Sequence, residues 1–365
     1  MKSCLVLGDA DIHDILINLS REETHTFLNR VADSLKDYST AAERSCQPDP
    51  AIVKRDGRRS IFRLFTSSTG VGVKIIVDPS EALSSQEVPK TEAAKAERNR
   101  LAGLHGIIAL CDQNGFPEGF LNAEEVTAYR TSLSAMILYV RRHKTANIVI
   151  FGAGKQALWH TRLALVLRGE DIRQITIINR SAERTASLIA QVTSENDQRW
   201  KAKVKIQSVL AEDTESLRTV LGEADVVFCT TPSKECLFPA DCLTNRQEGC
   251  YLSAIGSYQS DMIELDPEIL TNVAEKGVER GIIVVDDRED CMKNTGEVVR
   301  SKLTEDKITE VGEVLTELQE KTAQCLVNGF VVYKSVGVAL TDLCAGQVIL
   351  DLARKRDRGT SVPDF

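Results

Sequence analysis

Several features are scarce or missing in this sequence of 365 residues. No apolar stretch is long enough to cross a bilayer, and the short run Cys4–Leu7 ends too early to be the apolar region of a secretory signal. Internal repeats and low-complexity tracts are absent. Positive charge is not in excess, and the net charge of −8 argues against non-specific binding to nucleic acid or membranes. We therefore expect a cytoplasmic globular protein whose partner is a small molecule.

The ten cysteines also lack a pattern. No two of them have C-x-x-C spacing, and those between positions 229 and 250 have no histidine nearby. Such scattered cysteines are typical of reduced, mostly buried thiols in a cytosolic protein. We expect neither a disulfide framework nor a bound metal.

The most informative segment that is present, 147–157, reads N-I-V-I-F-G-A-G-K-Q-A. A β-branched apolar run meets a glycine turn and then a helix-compatible stretch, which is the context of the dinucleotide fingerprint G-x-G-x-x-A. Gly152 permits the sharp turn, Gly154 lets backbone approach a pyrophosphate, and Ala157 lets the helix pack closely on the strand. The pyrophosphate would lie over the helix N-terminus. An ordinary glycine turn is the alternative, but the flanking pattern favours dinucleotide binding.

Strands and helices alternate from about position 147 to position 290, and the strands are continuous apolar runs. This pattern predicts a parallel sheet covered by helices on both faces, which is a doubly wound domain. The flanks mix helices with strands. We expect the C-terminal stretch, with a strand at 330–333 and a helix at 339–354, to pair with the N-terminal region.

The predicted fold class is therefore α/β, with a Rossmann-type dinucleotide domain at 145–304. This domain would be inserted between the halves, 1–144 and 305–365, of a second, mixed α/β domain. Within the first half, segment 80–100 is polar and highly charged. Its composition is typical of a solvated helix or a mobile insertion, and a lid over the site is the alternative interpretation.

Four segments together indicate a family. They read G-V-G-V-K at 70–74, L-N-A-E-E-V-T-A-Y-R-T-S at 121–132, the fingerprint at 152–157, and Y-K-S-V-G at 333–337 followed by Asp342 and Leu343. In order and spacing they resemble the ornithine cyclodeaminase/mu-crystallin family over most of the chain. The resemblance implies that the N- and C-terminal segments form a domain with the substrate pocket and the dimer interface of a homodimer.

The resemblance also assigns two cations to the substrate. Lys74 matches the family's active-site lysine, which binds the substrate carboxylate and relays protons, and burial beside other cations would lower its pKa. Without the resemblance, a lysine on a solvated strand face is the simpler interpretation. Arg130 falls where the family has a carboxylate-binding arginine, and its planar fork suits a carboxylate better than an ammonium does. An arginine capping the surface is the alternative.

Three more residues are candidates for binding the substrate. Arg63 stands where the family often has methionine, and it is either another cation for the pocket or, by strand alternation, a solvent-facing side chain. His105 lies in a loop that approaches the substrate in the family. It is either an acid or base for the reaction or a structural histidine. Tyr258 occupies the position where cyclodeaminases present an aspartate to the substrate amine, with Asp261 three residues on. A tyrosine with a pKa of about 10 deprotonates an amine poorly.

The second strand of the dinucleotide domain predicts the cofactor. No acid stands at its end to hold the ribose hydroxyls, whereas Arg180, Ser181 and Arg184 suit a 2′-phosphate, unless they only begin and cap the next helix. We therefore expect NADP(H), with NAD(H) as the alternative, and expect Lys334 to close the site from the other domain. The expected cofactor residues are Thr131, Gly152, Ala153, Gly154, Lys155, Gln156, Asn179, Arg180, Ser181, Arg184, Thr230, Thr231, Pro232, Ile255, Gly256 and Lys334.

The sequence thus predicts an NADP(H)-dependent oxidoreductase that reduces the C=N bond of an imino acid, of the ketimine reductase or amino-acid dehydrogenase type. Lys74 would be catalytic and would bind the substrate together with Arg130, Arg63, His105 and Tyr258. One alternative is a lyase of the ornithine cyclodeaminase type, which the missing aspartate disfavours. The other is a non-catalytic NADPH-binding protein.

Overall fold

A computed structural model of the chain describes residues 3–84, 91–244, 249–316 and 318–365. The chain divides into two compact units. The first unit comprises Met1–Leu19, Ala41–Arg130 and Ala339–Phe365, and the second comprises Ser20–Thr40 and Thr131–Val338. Among the helices of the described ranges, none has the length and apolar character that crossing a bilayer requires.

The elements are numbered along the chain. The strands are Cys4–Leu7 (β1), Ala51–Arg55 (β2), Arg58–Ser67 (β3), Gly70–Asp78 (β4), His105–Asp112 (β5), Pro117–Asn122 (β6), Asn147–Phe151 (β7), Gln174–Asn179 (β8), Lys205–Leu210 (β9), Val226–Cys229 (β10), Tyr251–Ala254 (β11), Gly281–Val285 (β12), Ile308–Glu310 (β13), Phe330–Lys334 (β14) and Thr360–Val362 (β15). The α-helices are Asp9–Ile17 (α1), Arg21–Thr40 (α2), Ser80–Ser84 (α3), Glu92–Leu101 (α4), Ala123–Tyr139 (α5), Lys155–Arg168 (α6), Ala182–Gln198 (α7), Thr214–Glu223 (α8), Asp241–Thr244 (α9), Pro267–Glu275 (α10), Arg288–Asn294 (α11), Gly296–Ser301 (α12), Val311–Thr316 (α13), Glu320–Asn328 (α14) and Ala339–Lys355 (α15).

The first unit is built on a mixed sheet with the strand order β15-β1-β6-β5-β4-β3-β2. Strands β1 and β6 are parallel, and the remaining neighbours are antiparallel. Helix α15 packs against β3, β4 and β5 on one face. The approach is close because Gly346 of α15 faces Leu110, whose Cδ1 would lie 2.6 Å from a Cβ at that position. This helix positions an acidic residue of the candidate site.

The second unit contains a parallel sheet with the order β13-β12-β14-β11-β10-β7-β8-β9. Most of its strands are apolar and buried, as expected for a sheet that is covered on both faces. The strand order reverses between β7 and β10, where doubly wound folds bind nucleotides at the carboxyl ends of the strands. The predicted α/β fold with a doubly wound domain is confirmed.

The structure corrects one expectation about the C-terminal stretch. Strand β14 lies between β11 and β12 in the sheet of the second unit, so the expected pairing of 330–333 with the N-terminal region is wrong. An apolar run that is buried throughout suits the centre of a parallel sheet. Helix α15 does belong to the first unit.

The ends of the units also differ from the predicted domain boundaries. The boundaries fall after Arg130 and after Val338, whereas the sequence suggested boundaries after 144 and after 304. In addition, helix α2 belongs to the second unit, where it packs on α13. The polar segment 80–100 contains helix α3 and most of helix α4. Positions 85–90 of that segment lie outside the described residues.

Candidate functional site

A buried ion cluster lies in the first unit. Lys74 Nζ is 2.5 Å from Asp342 Oδ2, and Arg130 Nε is 2.9 Å from Asp342 Oδ1, so each carboxylate oxygen accepts a hydrogen bond from a different cation. All three side chains are buried. Buried charges of this kind require partners, because transfer out of water is costly. The structure thus brings the two predicted carboxylate-binding cations together around one carboxylate of the chain.

Local structure explains how these groups meet. Asp342 lies in the first turn of α15, where the helix dipole favours a negative charge. Lys74 follows Gly72 on the same face of β4, and a Cβ at Gly72 would lie 2.5 Å from the ring of Phe65. Glycine at that position therefore lets Phe65 of β3 pack across β4 beside the lysine.

Burial and neighbouring charges set the pKa values in this cluster. Burial lowers the pKa of Lys74 to about 7, against the opposing effect of Asp342, and Arg130 and Arg63 lower it further. Burial alone would raise the pKa of Asp342, but Arg130 and Lys74 outweigh it and hold that pKa below its usual range. Near neutral pH the cluster therefore contains an ionised carboxylate beside a lysine that can gain or lose a proton.

The strand register shows on which face of the first sheet Arg63 lies. Arg63 is the cross-strand partner of Lys74, and directly opposed side chains in an antiparallel pair lie on the same face. Arg63 is half-buried and lowers the pKa of both Lys74 and Asp342. The structure therefore places Arg63 with the ion cluster.

Arg59 continues the same face of β3, opposite Asp78, and sequence reasoning missed it. Its Nε and Nη1 atoms are buried and have no hydrogen-bond partner among the described residues. Native structures rarely leave buried polar groups unpaired. The cross-strand partner of Arg59 is the buried Asp78, so this guanidinium stands opposite a carboxylate of the chain.

His105 lies elsewhere. Its cross-strand partner in β4 is Val77, an odd number of positions from Lys74, so His105 and Lys74 lie on opposite faces of the sheet. Its Nδ1 atom is 3.2 Å from Glu124 Oε2, and 44% of its side chain is exposed. The structure does not bring His105 to the ion cluster.

In the second unit, the glycine turn after β7 fits a dinucleotide. Gly152 has a φ of 114°, which favours glycine, and a Cβ there would lie 2.8 Å from Thr230 Oγ1. Gly154 precedes α6 without a side-chain cap, and the space that its Cβ would enter holds no atom within 4 Å. An uncapped helix N-terminus beside open space is what a pyrophosphate requires.

Other predicted cofactor residues lie around this turn. Ala153 belongs to the turn, Lys155 and Gln156 begin α6, and Gln156 Oε1 accepts a hydrogen bond of 3.2 Å from Ser132 Oγ. Thr131 is buried in α5 beside Ser132. The Thr230 hydroxyl donates to the carbonyl oxygen of Phe151 at 2.6 Å, which ties the start of the next loop to the end of β7.

The end of β8 combines capping with exposed cations. Ser181 caps α7, because its Oγ accepts a hydrogen bond of 3.3 Å from the backbone N–H of Arg184. The Asn179 side chain donates to the carbonyl oxygen of Ser181 at 3.2 Å. Arg180 and Arg184 are exposed. The capping role that was the alternative for Ser181 is therefore present, and it leaves both guanidinium groups on the surface next to the strand end.

A buried carboxylate organises the loops after β10 and β11. Glu264 accepts hydrogen bonds from the backbone N–H groups of Thr231 at 2.8 Å, Gly256 at 2.6 Å and Ser257 at 3.3 Å. Burial raises the pKa of Glu264 to about 7. These two loops contain the predicted cofactor residues Thr230, Thr231, Pro232, Ile255 and Gly256. Sequence reasoning did not name Glu264 as a site residue.

Lys334 requires a correction. It ends β14 within the second unit, so it does not approach from the other domain. Its Nζ donates to the carbonyl oxygen and the Oγ of Ser257, both at 2.7 Å, and lies 3.3 Å from Glu297 Oε1. Burial would lower the pKa of Lys334, but Glu297 and Glu264 outweigh it and raise that pKa. Lys334 is thus a buried cation that holds the loop after β11.

Comparison with known proteins identifies the family of this chain. The model described as "Ornithine cyclodeaminase/mu-crystallin family" matches residues 91–357. This protein belongs to the ornithine cyclodeaminase/mu-crystallin family. Arg130, the glycine turn and Asp342 lie inside the matched range of this family, whereas Arg63 and Lys74 precede it.

Several relatives of this chain are reductases by name. A Delta(1)-pyrroline-2-carboxylate reductase of Bacillus cereus is 27% identical over 71% of this chain and 74% of its own length. The ketimine reductase mu-crystallin of Rattus norvegicus is 22% identical, and the match covers 82% of each chain. Among solved structures, Delta(1)-pyrroline-2-carboxylate reductase of Thermococcus litoralis, in complex with NADH and L-proline, has a TM-score of 0.73 at 18% identity, covering 98% of this chain and 100% of the other.

One position departs from the cyclodeaminase members of the family. Tyr258 is half-buried in the loop after β11, at the position where the resemblance places an aspartate. Asp261 does not replace that aspartate, because its carboxylate forms an exposed ion pair of 2.6 Å with Lys234. The acidic side chain of the loop 255–261, that of Asp261, is therefore engaged in an ion pair at the surface.

Proposed function

We propose that this protein is an NADP(H)-dependent oxidoreductase that reduces the C=N bond of an imino acid to an amino acid. The observation that carries the proposal is the buried cluster in which Lys74 and Arg130 share the carboxylate of Asp342. Reductases in the family act, by name, on small imino acids. An acid-binding cluster in the first unit and a dinucleotide turn in the second supply the two binding functions that such a reaction needs.

The cluster suits the carboxylate of the substrate. Lys74 and Arg130 both bind Asp342, and Arg63 lies on the same face of the sheet as Lys74, so an incoming anion meets several cations. Asp342 fixes Lys74 and Arg130 before the substrate binds, which reduces the entropy lost on binding. The two cations would bind the substrate carboxylate and hold the neighbouring imine carbon in one orientation.

The proton is the second contribution of Lys74. A lysine with a pKa of about 7 is half-protonated at neutral pH and is well matched to general acid–base catalysis. It can hold a proton near the nitrogen of the bound substrate as that nitrogen becomes an amine. A non-catalytic protein has no need of a lysine in this state, and the missing aspartate of the loop 255–261 disfavours a cyclodeaminase-type lyase.

The cofactor that we propose is NADP(H), which supplies the hydride when bound. The glycine turn and the N-terminus of α6 would hold its pyrophosphate, and Arg180 and Arg184 would hold its 2′-phosphate by charge-assisted hydrogen bonds. Related structures contain NADH or NAD⁺, so the preference for the phosphorylated cofactor rests on these two arginines.

We also propose a cytoplasmic homodimer. The face of the first sheet opposite α15 exposes apolar side chains, among them Val6, Leu64 and Ile107, each at least 40% exposed. An exposed apolar face of this kind is typical of a protein–protein interface, and the resemblance supports a second copy of the chain as its occupant. The cysteines are free thiols, which suits a reducing compartment.

The test follows oxidation of NADPH and NADH at 340 nm. The substrates are cyclic imino acids, and 2-oxo acids mixed with ammonia or simple amines. We expect oxidation of NADPH with at least one of them, lost in Lys74→Ala and retained in Lys355→Ala, which removes an exposed lysine from the end of α15. Tight NADPH binding with no oxidation by any substrate would contradict the proposal and favour a binding protein. Release of ammonia from ornithine without net cofactor turnover would favour the lyase.

A further inference from the structure

Glu264 joins two loops at the carboxyl edge of the second sheet, the loop that follows β10 and the loop that follows β11. We propose that Glu264 is a positioning residue of the cofactor site, whose ionised carboxylate holds these two loops in the arrangement that binds the nicotinamide half of the cofactor. This inference rests on the proposed function, and it adds a residue that lies outside the expected cofactor set.

The two loops continue the rim of the sheet that begins at the glycine turn. A Cβ at Gly152 would lie 2.8 Å from Thr230 Oγ1 and 3.1 Å from Thr231 Cγ2, so the loop after β10 packs on the turn. A Cβ at Gly256 would lie 2.2 Å from the carbonyl oxygen of Thr231, so the loop after β11 packs on the loop after β10. The three segments therefore form one continuous surface within the second unit.

The order of the strands indicates which half of a dinucleotide this surface serves. Strand β7, which leads into the glycine turn, has β8 on one side and β10, followed by β11, on the other side. Dinucleotides bind across such a point, with one nucleotide on each side of it. Arg180 and Arg184 at the end of β8 suit the 2′-phosphate of the adenosine half. The loops after β10 and β11 therefore serve the nicotinamide half.

Both oxygens of the Glu264 carboxylate accept hydrogen bonds from backbone donors. Oε1 accepts from the N–H of Thr231, and Oε2 accepts from the N–H groups of Gly256 and Ser257, so each oxygen holds one of the loops. A proton on either oxygen would weaken that oxygen as an acceptor and add an O–H, which backbone N–H groups cannot accept. The connection between the loops is therefore complete only when Glu264 is ionised.

The surroundings of Glu264 bring its ionisation close to neutral pH. Lys334 of β14, Glu297 of α12 and the thiol of Cys229 of β10 face it. Burial is the main reason that the pKa of Glu264 is raised to about 7, Glu297 adds to the rise, and Lys334 and the backbone N–H groups oppose it. Burial also raises the pKa of the Cys229 thiol, which keeps this thiol neutral. Because a carboxylate is ionised above its pKa, the connection is present above pH 7 and is lost as the pH falls through 7.

The affinity for the cofactor should follow the ionised fraction of Glu264. With a pKa of about 7, this fraction is roughly nine-tenths at pH 8 and roughly one-tenth at pH 6. When only the ionised form binds, the dissociation constant is inversely proportional to this fraction. We therefore expect Glu264 to raise the dissociation constant of NADPH about tenfold between pH 8 and pH 6.

The test is fluorescence titration with NADPH at pH 6, 7 and 8. Glu264→Gln keeps the size of the side chain but cannot ionise, so the ratio of its dissociation constant to that of wild type should fall about tenfold from pH 8 to pH 6. The 2′-phosphate of NADPH also gains a proton near pH 6, but this effect is common to both proteins and cancels from the ratio. Glu268→Gln is the matched control, since it removes an exposed carboxylate of α10, and it should bind as wild type does at each pH.

A second measurement uses the wild-type protein alone and stays decisive if Glu264→Gln does not fold, which thermal melts reveal. Calorimetric titration with NADH, which lacks the 2′-phosphate, is carried out at pH 7 in two buffers of different ionisation enthalpy. Binding should release about half a proton, because Glu264 is half-protonated at this pH and becomes ionised in the complex.

The outcomes separate this inference from the proposed function. A ratio that does not change with pH, or binding without proton release, would overturn the role of Glu264 while the reductase function stands. The expected pH dependence together with no oxidation of NADPH by any imine would support Glu264 and reject the reductase function. Absence of NADPH and NADH binding at every pH would reject the cofactor site and, with it, this inference.

Discussion

The state of Lys74 makes a prediction about pH. Because burial lowers its pKa to about 7, the charged form that binds a carboxylate is present below that pH and is lost as the pH rises through it. The affinity for a carboxylate ligand should therefore be high at pH 6 and fall toward pH 9. An ordinary lysine, with a pKa of about 10.4, would show no fall over this range.

The size of the effect follows from the protonation equilibrium. With a pKa of about 7, Lys74 is half-charged at pH 7 and roughly one part in a hundred charged at pH 9. The fall is limited by the value of one hydrogen bond to a charged group, about 1.5–3 kcal/mol, because Arg130 still binds the ligand. We therefore expect the dissociation constant to rise about 10- to 50-fold between pH 7 and pH 9.

The assay is calorimetric titration of the NADPH-bound protein with 2-hydroxyisobutyrate. Its carboxylate does not titrate between pH 6 and pH 9, and its substituted carbon has no hydride to give up. Lys74→Met should bind weakly at every pH, with no fall, while Asp342 keeps its ion pair with Arg130. A flat wild-type profile, or the same fall in Lys74→Met, would refute the assignment of a lowered pKa to Lys74.

Other substitutions test the cofactor site and the proposed dimer interface. Gly154→Val should weaken NADPH binding at least about tenfold without lowering the melting temperature, because its Cβ enters open space. Gly152→Val should weaken NADPH binding and also lower the melting temperature, because φ is 114° there. Fluorescence titration measures the binding, and thermal melts measure the stability. Replacing Arg180 and Arg184 by glutamine should reduce affinity for NADPH roughly 10- to 100-fold and hardly change that for NADH, and equal losses for both cofactors would contradict a 2′-phosphate site. Ile107→Lys should convert the proposed dimer to monomers in sedimentation equilibrium, and an unchanged mass would exclude this face as the interface.

Local pattern predicted the doubly wound domain well because its strands are continuous apolar runs separated by helices. The alternation expected from about position 147 to position 290 is present as strands β7 to β12, with helices α6 to α10 between them. Strand β14 was assigned to the wrong sheet because an apolar run indicates a buried strand without naming its neighbours. Those neighbours, β11 and β12, are chosen by pairing over a long stretch of chain, which no local signal encodes.

The same difference between local pattern and long-range pairing applies to the candidate site. Lys74, Arg130 and Asp342 all lie in segments that resemble the family, but Asp342 is 268 residues from Lys74 in the chain, and only the fold shows that they pair. Lys334 was expected to close the cofactor site from the other domain, because the C-terminal stretch was assigned to that domain. Its amine contacts Ser257 and Glu297 within the second unit, and these contacts cannot be deduced from the local sequence.

Arg63 shows most directly how much the site depends on register. Strand alternation alone does not determine on which face of β3 the side chain of Arg63 lies. A shift of one residue in the pairing with β4 would move that side chain to the opposite face. The observed register is the one that opposes Arg63 to Lys74 and Phe65 to Gly72. Because the Phe65 ring occupies the space where any Cβ at position 72 would stand, the pairing of a large residue with a glycine favours this register over its neighbours. The packing of an apolar residue thus helps to fix the face of the sheet on which Arg63 lies.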